Sequence, residues 1–470
     1  MQSIIRDLAD IKAAKRWDFG FHSPEYLQVL ASLDRTYPVA RFGDIITVLT
    51  DMGAFSLYKT EFFVDEGVPF LRVQNVQEYG VDLEKDTKFI SYEYHQQLKK
   101  SQLQPGDLLL TTKAVIGVSA VVDENLGDCN ISQNLVLIRL KEDINPNYVS
   151  VFLNSRLGRM QTETAATGPN QKYLNFERIY DLKITLPSRS LQDQIAQVIQ
   201  EAYGDRKKKL EEAESLVKGI DDEIKKILEV VVGEIHDEPK FVMKVSDLED
   251  RWDFKVYDRR YVTVINATKE GKYSVLSLGT LCREKPKRGS QPKYDLDGAI
   301  PVLKTVNVGS GRIDFESALR VDFSFLETIS GKKSKVYKGD ILITSTGDGS
   351  WGRASVFEEE FDCVVDGHIC IVRLKPEHNP HFLAEFLNSS LGQAQFWQRY
   401  RGATGQTEIY PDDISALKIA TPPKEIQDEI ALKVQQRRSQ AKQLRAQAEA
   451  VVAAAKARVE RMILGEETVE

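Results

Sequence analysis

The chain states nearly the same sequence twice, at an offset of half its own length. Arg16-Trp17-Asp18-Phe19 returns as Arg251-Trp252-Asp253-Phe254, 235 residues further on in a chain of 470. Phe152-Leu153-Asn154-Ser155, followed by Leu157-Gly158, returns as Phe386-Leu387-Asn388-Ser389, followed by Leu391-Gly392. Gly106-Asp107 and Gly339-Asp340 each head an apolar run. Arg139-Leu140-Lys141 matches Arg373-Leu374-Lys375, and Asn145-Pro146 matches Asn379-Pro380. Solenoid repeats have periods of about 20–50 residues, so this is something else. It is a tandem duplication of a whole domain together with the segment that follows it. Two similar modules imply two similar sites.

Within each copy the pattern is mixed. Ser23-Pro24-Glu25 predicts a helix start, with proline at the first helical position. Short apolar runs at 69–73, 107–111 and 134–138, with counterparts at 301–305, 340–344 and 369–372, read as buried strands bounded by turns such as Pro105-Gly106-Asp107. Tyr148 to Leu157 and Phe382 to Leu391 each read as one amphipathic helix. The fold class is therefore α+β. The Arg-Trp-Asp-Phe signature reads as structural, its aromatics anchoring the leader while Arg and Asp satisfy buried polar groups.

After each module the character changes. Ser190 to Val231 contains no proline, and Ser190 with Asp193 predicts a capping box. Ala213, Val217, Ile220, Ile224, Ile227 and Val231 alternate spacings of four and three, the coiled-coil pattern. The second such segment follows Pro422-Pro423 and runs to Leu464, with a similar seam interrupted by Arg437. Each is about 60 Å long at 1.5 Å per residue. The first holds seven basic and ten acidic residues, net −3, and the second nine and five, net +4. Opposite charge predicts that they pack on each other; the alternative is that each caps its own domain or meets a partner. An antiparallel pair would set the modules at opposite ends of a rod, related by a pseudo-twofold axis. The expected divisions are 1–188, 189–235 (first long helix), 236–423 and 424–466 (second long helix).

The motifs exclude more than they assign. No apolar run approaches the roughly 18 residues that would span a bilayer, and the first residues lack the order of a signal peptide. The four cysteines form no Cys-x-x-Cys pair and read as buried thiols of a cytoplasmic protein. The six histidines do not cluster, and no metal or cofactor site is expected. Gly347-Asp348-Gly349-Ser350-Trp351-Gly352 fits a dinucleotide fingerprint, but the residues after it read as a strand where a phosphate-binding helix is required.

A net charge of −7 argues mildly against nucleic acid, yet the second module is locally basic. It has Arg283, Lys285, Lys287, Arg288 and Lys293, then Lys332, Lys333, Lys335 and Lys338. Lysine and arginine neutralise phosphates, while Asn, Gln and Arg pair with base edges. The candidate DNA contacts are Arg72, Gln74, Asn75, Lys113, Asn134, Asn170, Gln171 and Lys172 in the first module. In the second they are Lys285, Lys287, Arg288, Lys304, Asn307, Ser350, Arg353, His368 and Gln406.

At these residues the chain resembles the specificity subunits of Type I restriction-modification enzymes. The likeness rests on the Arg-Trp-Asp leader, the Pro-x-Leu-Arg/Lys strands (Pro69-Leu71-Arg72, Pro301-Leu303-Lys304) and the Phe-Leu-Asn-Ser helices. It also rests on Ala166-Thr167-Gly168 through Gln171, and its shorter counterpart Ala403-Thr404-Gly405-Gln406. The family usually has Glu-Gln where this chain has Asp193-Gln194 and Asp428-Glu429. The resemblance implies two target recognition domains on an antiparallel pair of helices, each reading half of a split site in double-stranded DNA, with no catalysis of its own. It further implies two methyltransferase subunits binding S-adenosylmethionine, a restriction-translocase subunit using ATP and Mg, and no membrane. The alternatives are a specificity-like scaffold of a related phage-defence or Type II system, and a diverged DNA methyltransferase.

Overall fold

The computed structural model describes residues 20–53, 62–78, 80–168, 171–234, 254–347, 349–402 and 407–467. The Arg-Trp-Asp leaders, Asn170 and Gln406 lie outside the described residues. The chain divides into two compact units: Met1–Leu210 with Arg445–Glu470, and Glu211–Leu444. Each therefore holds one repeated module and part of each long helix. No described helix is long and apolar enough to cross a membrane.

In unit 1 a four-stranded antiparallel sheet runs in the order Ile46–Thr50, Leu135–Leu140, Leu108–Thr111, Ser119–Val121. The Leu-Leu-Leu-Thr strand is buried on both faces: Leu108 and Leu110 face one apolar cluster, Leu109 another. Alternating side chains of a continuous apolar run must fill two cores, which is why the run does not alternate with polar residues. A three-stranded sheet centres on Val68–Leu71, antiparallel to Lys88–Ile90 and parallel to Asn130–Ile131.

Unit 2 repeats this topology. Its four strands are Lys287–Arg288, Ile369–Val372, Ile341–Thr344 and Ala354–Val356; its three centre on Ile300–Leu303, parallel to Val364–Val365. Ile341 and Ile343 again face one cluster and Leu342 the other. The strand Ala354–Val356 follows the glycine-rich turn directly, so no phosphate-binding helix stands there.

The repeated motifs find structural roles. Asp107 and Asp340 are buried at the strand ends and paired with Arg139 and Arg373. Asn145 and Asn379 cap helices Pro146–Asn154 and Pro380–Asn388, accepting two backbone N–H groups each. Asn154 and Asn388 use their amides as a strand would, pairing with both backbone groups of Ser119 and Ala354. The single amphipathic helix expected in each copy is instead two. Ser155 and Ser389 turn to extended backbone, and new helices run Arg156–Ala165 and Ser390–Arg399. Apolar periodicity continues through the break, so the pattern conceals it. Gly158 and Gly392 let the paired helices touch: a β-carbon on Gly392 would lie 2.4 Å from Leu387 O.

The long helices run Arg189–Leu228 and Lys424–Leu464. The capping box expected at Ser190–Asp193 does not form; Ser188 Oγ accepts from Leu191 N at 3.4 Å, and Asp193 binds Arg189 and Asn145. In unit 1, Ile195, Ile199 and Ala202 share a core with Ala455, Val459, Met462 and Ile463, and Arg206 pairs with Glu449 at 3.1 Å. In unit 2, Ala213 packs with Ala441 and Leu444, and Ile220 and Ile224 share a core with Ile430 and Val434. Arg437, which interrupts the apolar seam, pairs with Glu223 at 2.9 Å and lies over Gly219, where a side chain would obstruct it.

Each unit also ties a small hairpin to these helices. Glu78, beside hairpin Val76–Gln77/Gly80–Val81, accepts from Tyr203 Oη at 3.0 Å and from Lys456, with Arg159 at 3.6 Å. Burial pushes its carboxyl up, but Lys456, Tyr203 and Arg159 together hold it below the usual range. In unit 2, Arg438 binds Glu385 at 2.7 Å and Ser310 O at 3.0 Å.

Candidate nucleic-acid interface

In each unit three loop segments meet at one end of the four-stranded sheet. In unit 1, Thr112 N donates to Asn134 O, Leu174 N donates to Thr112 O, and Thr167 pairs with Tyr173. Lys113 bridges to the same Tyr173. Ala114 and Gly117 take left-handed backbone, at φ 61 and 85, turning the loop outward so that Val115 is 56% exposed and Tyr173 44%. Four candidates, Lys113, Asn134, Gln171 and Lys172, therefore stand together here.

Unit 2 builds the same joint from different side chains. Ser345 N donates to His368 O, Ile409 N donates to Ser345 O, and Arg401 pairs with Glu408. The exposed His368 lies 2.9 Å from Thr346 Oγ1 through Nδ1. Behind them Trp351 donates to Thr407 Oγ1 at 3.0 Å and packs on Trp397 and Tyr400.

Several candidates prove to be otherwise engaged. Asn75 is fully buried; its amide donates to Asp82 O, Lys85 O and Thr87 Oγ1, and its oxygen accepts from Arg72 N. Asn307 does the same work, accepting from Lys304 N and donating to Ser317. Both are buried and hold a turn, so neither presents its amide to a base edge. Arg72 and Gln74 each donate to Asp86 Oδ2 at 2.9 Å. Arg288 is spent on Glu408 (3.0 Å) and Ile409 O (2.6 Å), stacked over Tyr410. Ser350 donates to carbonyls of its own turn, and Arg353 Nη2 reaches Gly349 O at 3.4 Å. Lys287 pairs with Glu284, and Lys304 lies over the Tyr294 ring. Lys285 is exposed.

The remaining basic run divides. Arg283 and Lys338 line an open cleft with Arg373, Lys375, His378 and Lys424; Asp340 and Arg373 place it at the opposite strand ends from Thr344 and Ile369. Lys332 and Lys333 are exposed on a short helix, and Lys335 pairs with Asp362 at 2.6 Å.

Nothing among the described residues groups three or more metal-ligating side chains. All four cysteines are buried and free, and burial pushes the Cys282 thiol up to about 11, so they are poor nucleophiles. Residues that sequence reasoning passed over, Tyr173, Thr346 and Glu408, owe their place to pairing across loops distant in the chain.

The two units are built on copies of one domain, and each carries the same loop joint. The model of the Type I restriction modification DNA specificity domain matches residues 35–215 and again 272–450. The chain belongs to this family. It is 22% identical over 387 residues to the Type I restriction enzyme EcoBI specificity subunit of Escherichia coli, spanning 79% of this chain and 73% of that protein. A solved chain from a study of assembly and conformational transition of the type I R-M system superposes with a TM-score of 0.55 at 14% identity. That match covers 92% of this chain and 98% of the other. The Type I S subunit from M. genitalium gives 0.46 at 12% identity, covering 91% and 96%.

Proposed function

We propose that this chain reads a bipartite site in double-stranded DNA, one half-site per unit, through the loop joint at the end of each four-stranded sheet. The observation that carries this reading is one scaffold with two different sets of exposed or half-buried side chains: Lys113, Asn134, Gln171 and Lys172 against Thr346 and His368. Identical frames with different readers suit two half-sites of different sequence. Lys285, Lys304, Lys332 and Lys333 supply phosphate contacts that position the unit and carry no sequence information.

The long helices act as the spacer between the units, packed as an antiparallel coiled coil with pseudo-twofold symmetry. The contacts Arg206–Glu449 and Glu223–Arg437 support this, since early residues of one helix meet late residues of the other. The chain itself performs no catalysis. In the cytoplasm it joins two methyltransferase subunits, which bring S-adenosylmethionine for adenine N6 methylation, and a restriction-translocase subunit, which brings ATP and Mg for cleavage. Exchanging residues 23–187 for the matching domain of a relative tests the reading. One half of the methylated motif in the host genome should change; a change in both halves, or in neither, refutes it.

A further inference from the structure

Among the buried side-chain atoms that lack a hydrogen-bond partner, one oxygen in each unit occupies the same position of the repeat. Ser132 follows the strand Asn130–Ile131, and Asp366 follows Val364–Val365. Their backbone N–H groups donate to Leu71 O at 2.8 Å and Leu303 O at 3.1 Å. Each therefore stands at the C-terminal end of two adjacent parallel strands, next to the residue that ends the other strand's run: Arg72 in unit 1, Lys304 in unit 2. Ser132 Oγ, Arg72 Nε and Asp366 Oδ2 are all buried with no hydrogen-bond partner. Asp366 is 0% exposed, and only its Oδ1 is used, accepting from His368 N at 2.8 Å.

Burial pushes the Asp366 carboxyl up, opposed by the His368 backbone and the charges of His368 and Lys304. Native proteins leave few buried polar groups unpaired, because each carries a desolvation penalty. Here the defect recurs at one repeat position although the residue differs. A sporadic packing fault would not follow the duplication. The position also begins the turn whose third residue, Asn134 or His368, is a surface member of the loop joint.

We infer that residues 132 and 366 are specificity-determining positions: Asp366 Oδ2 accepts from the exocyclic amino group of a cytosine or adenine, and Ser132 Oγ, its counterpart in unit 1, is a hydroxyl that donates to a base acceptor. This rests on the reading of the chain as a DNA-recognition subunit and names the chemistry of its discrimination. Carboxylates accept from base amino groups, and a serine hydroxyl pairs with base-edge atoms as donor or acceptor. For a base to reach Asp366, the partly exposed Lys304 and the exposed His368 would have to move aside.

The test uses the full chain in its complex, with Asp366→Asn, Asp366→Ser and Ser132→Asp introduced at the chromosomal locus. The wild-type methylated motif is first mapped. Methylation of duplexes carrying each single-base substitution of that motif is then compared between variants. Asp366→Asn should change preference at one base of one half-site by about 5- to 150-fold, with an unchanged or raised melting temperature because a buried charge is removed. Ser132→Asp should alter one base of the other half-site only. Unchanged preferences in all three variants overturn the inference, as does a uniform loss of methylation across every duplex. Unfolding of both Asp366 variants with Ser132→Asp silent also overturns it, since the carboxylate then serves the fold. If exchange of the whole domain moves a half-site while these variants do not, the two-unit reading stands and this assignment falls; if exchange moves nothing, the reading itself falls.

Discussion

Replacing Gly392 by alanine should break the close crossing between helices Pro380–Asn388 and Ser390–Arg399. The new β-carbon would lie 2.4 Å from Leu387 O, 2.5 Å from Leu387 Cα and 2.6 Å from Phe386 O. Ordinary contact begins near 3.4 Å, so the helices must part by about 1 Å, and no rotamer change helps because all three neighbours are backbone. Parting them loosens Phe386, Leu387, Leu391 and Phe396, none of which is measurably exposed. Overpacking of this kind costs about 1–3 kcal/mol, and a clash confined to backbone belongs at the upper end. Alanine's better helix propensity returns about 1 kcal/mol, leaving a net loss of roughly 2 kcal/mol. Gly204, in the first long helix, is the control: a β-carbon there meets nothing within 4 Å, so Gly204→Ala should stabilise by up to about 1 kcal/mol. Urea unfolding followed by tryptophan fluorescence measures both, since Trp351 packs within 4.9 Å of Tyr400 close to this crossing. A Gly392→Ala protein as stable as the parent would refute the tight crossing.

Three further expectations can be measured. Arg373→Leu should destabilise unit 2 by about 3 kcal/mol in thermal melts, because it leaves Asp340 buried and unpaired; adding Asp340→Asn should recover much of the loss, and no recovery would argue against the pair. Glu78 is held below its usual value of 4.5, so its stabilisation is complete above that pH and fades as pH falls through the lower folded value. The melting difference between parent and Glu78→Gln should therefore shrink below about pH 4.5, and a difference constant with pH contradicts the assignment. Inserting seven residues after Leu210 and seven after Leu444 keeps the heptad register and lengthens both helices by about 10 Å. The unspecified gap of the methylated motif should then widen by about three base pairs; a preserved gap with full methylation would show that the helices do not set it.

Much of this fold is legible in the sequence because its signals are local. Ser23 and Pro24 start their helix as their residue types require, and the apolar runs at 108–111 and 341–344 are too short and too continuous to be anything but buried strands. The break at Ser155 is not legible, since Leu157 continues the apolar period while the close approach that requires the break belongs to Gly158. The interface is harder still. Sequence identifies Arg72, Asn75 and Arg288 as polar, but whether their hydrogen bonds are already used depends on Asp86, Lys85 and Glu408, which come close only in three dimensions. Ser132 and Asp366 are the converse case: an unremarkable serine and aspartate that stand out only because one buried side-chain oxygen of each has no partner.

The division of the chain also orders its manufacture. Unit 2 is one uninterrupted stretch, whereas unit 1 is assembled from an early stretch and a late one. During synthesis the first module emerges without Ala455, Val459, Met462 and Ile463, which complete its largest core, and Thr36 has not yet found Leu464 O. The module made first is thus finished last, and its apolar face stays open while the whole of unit 2 is translated. A premature stop near Leu444 would spare the unit it adjoins and cripple the one that had left the ribosome long before.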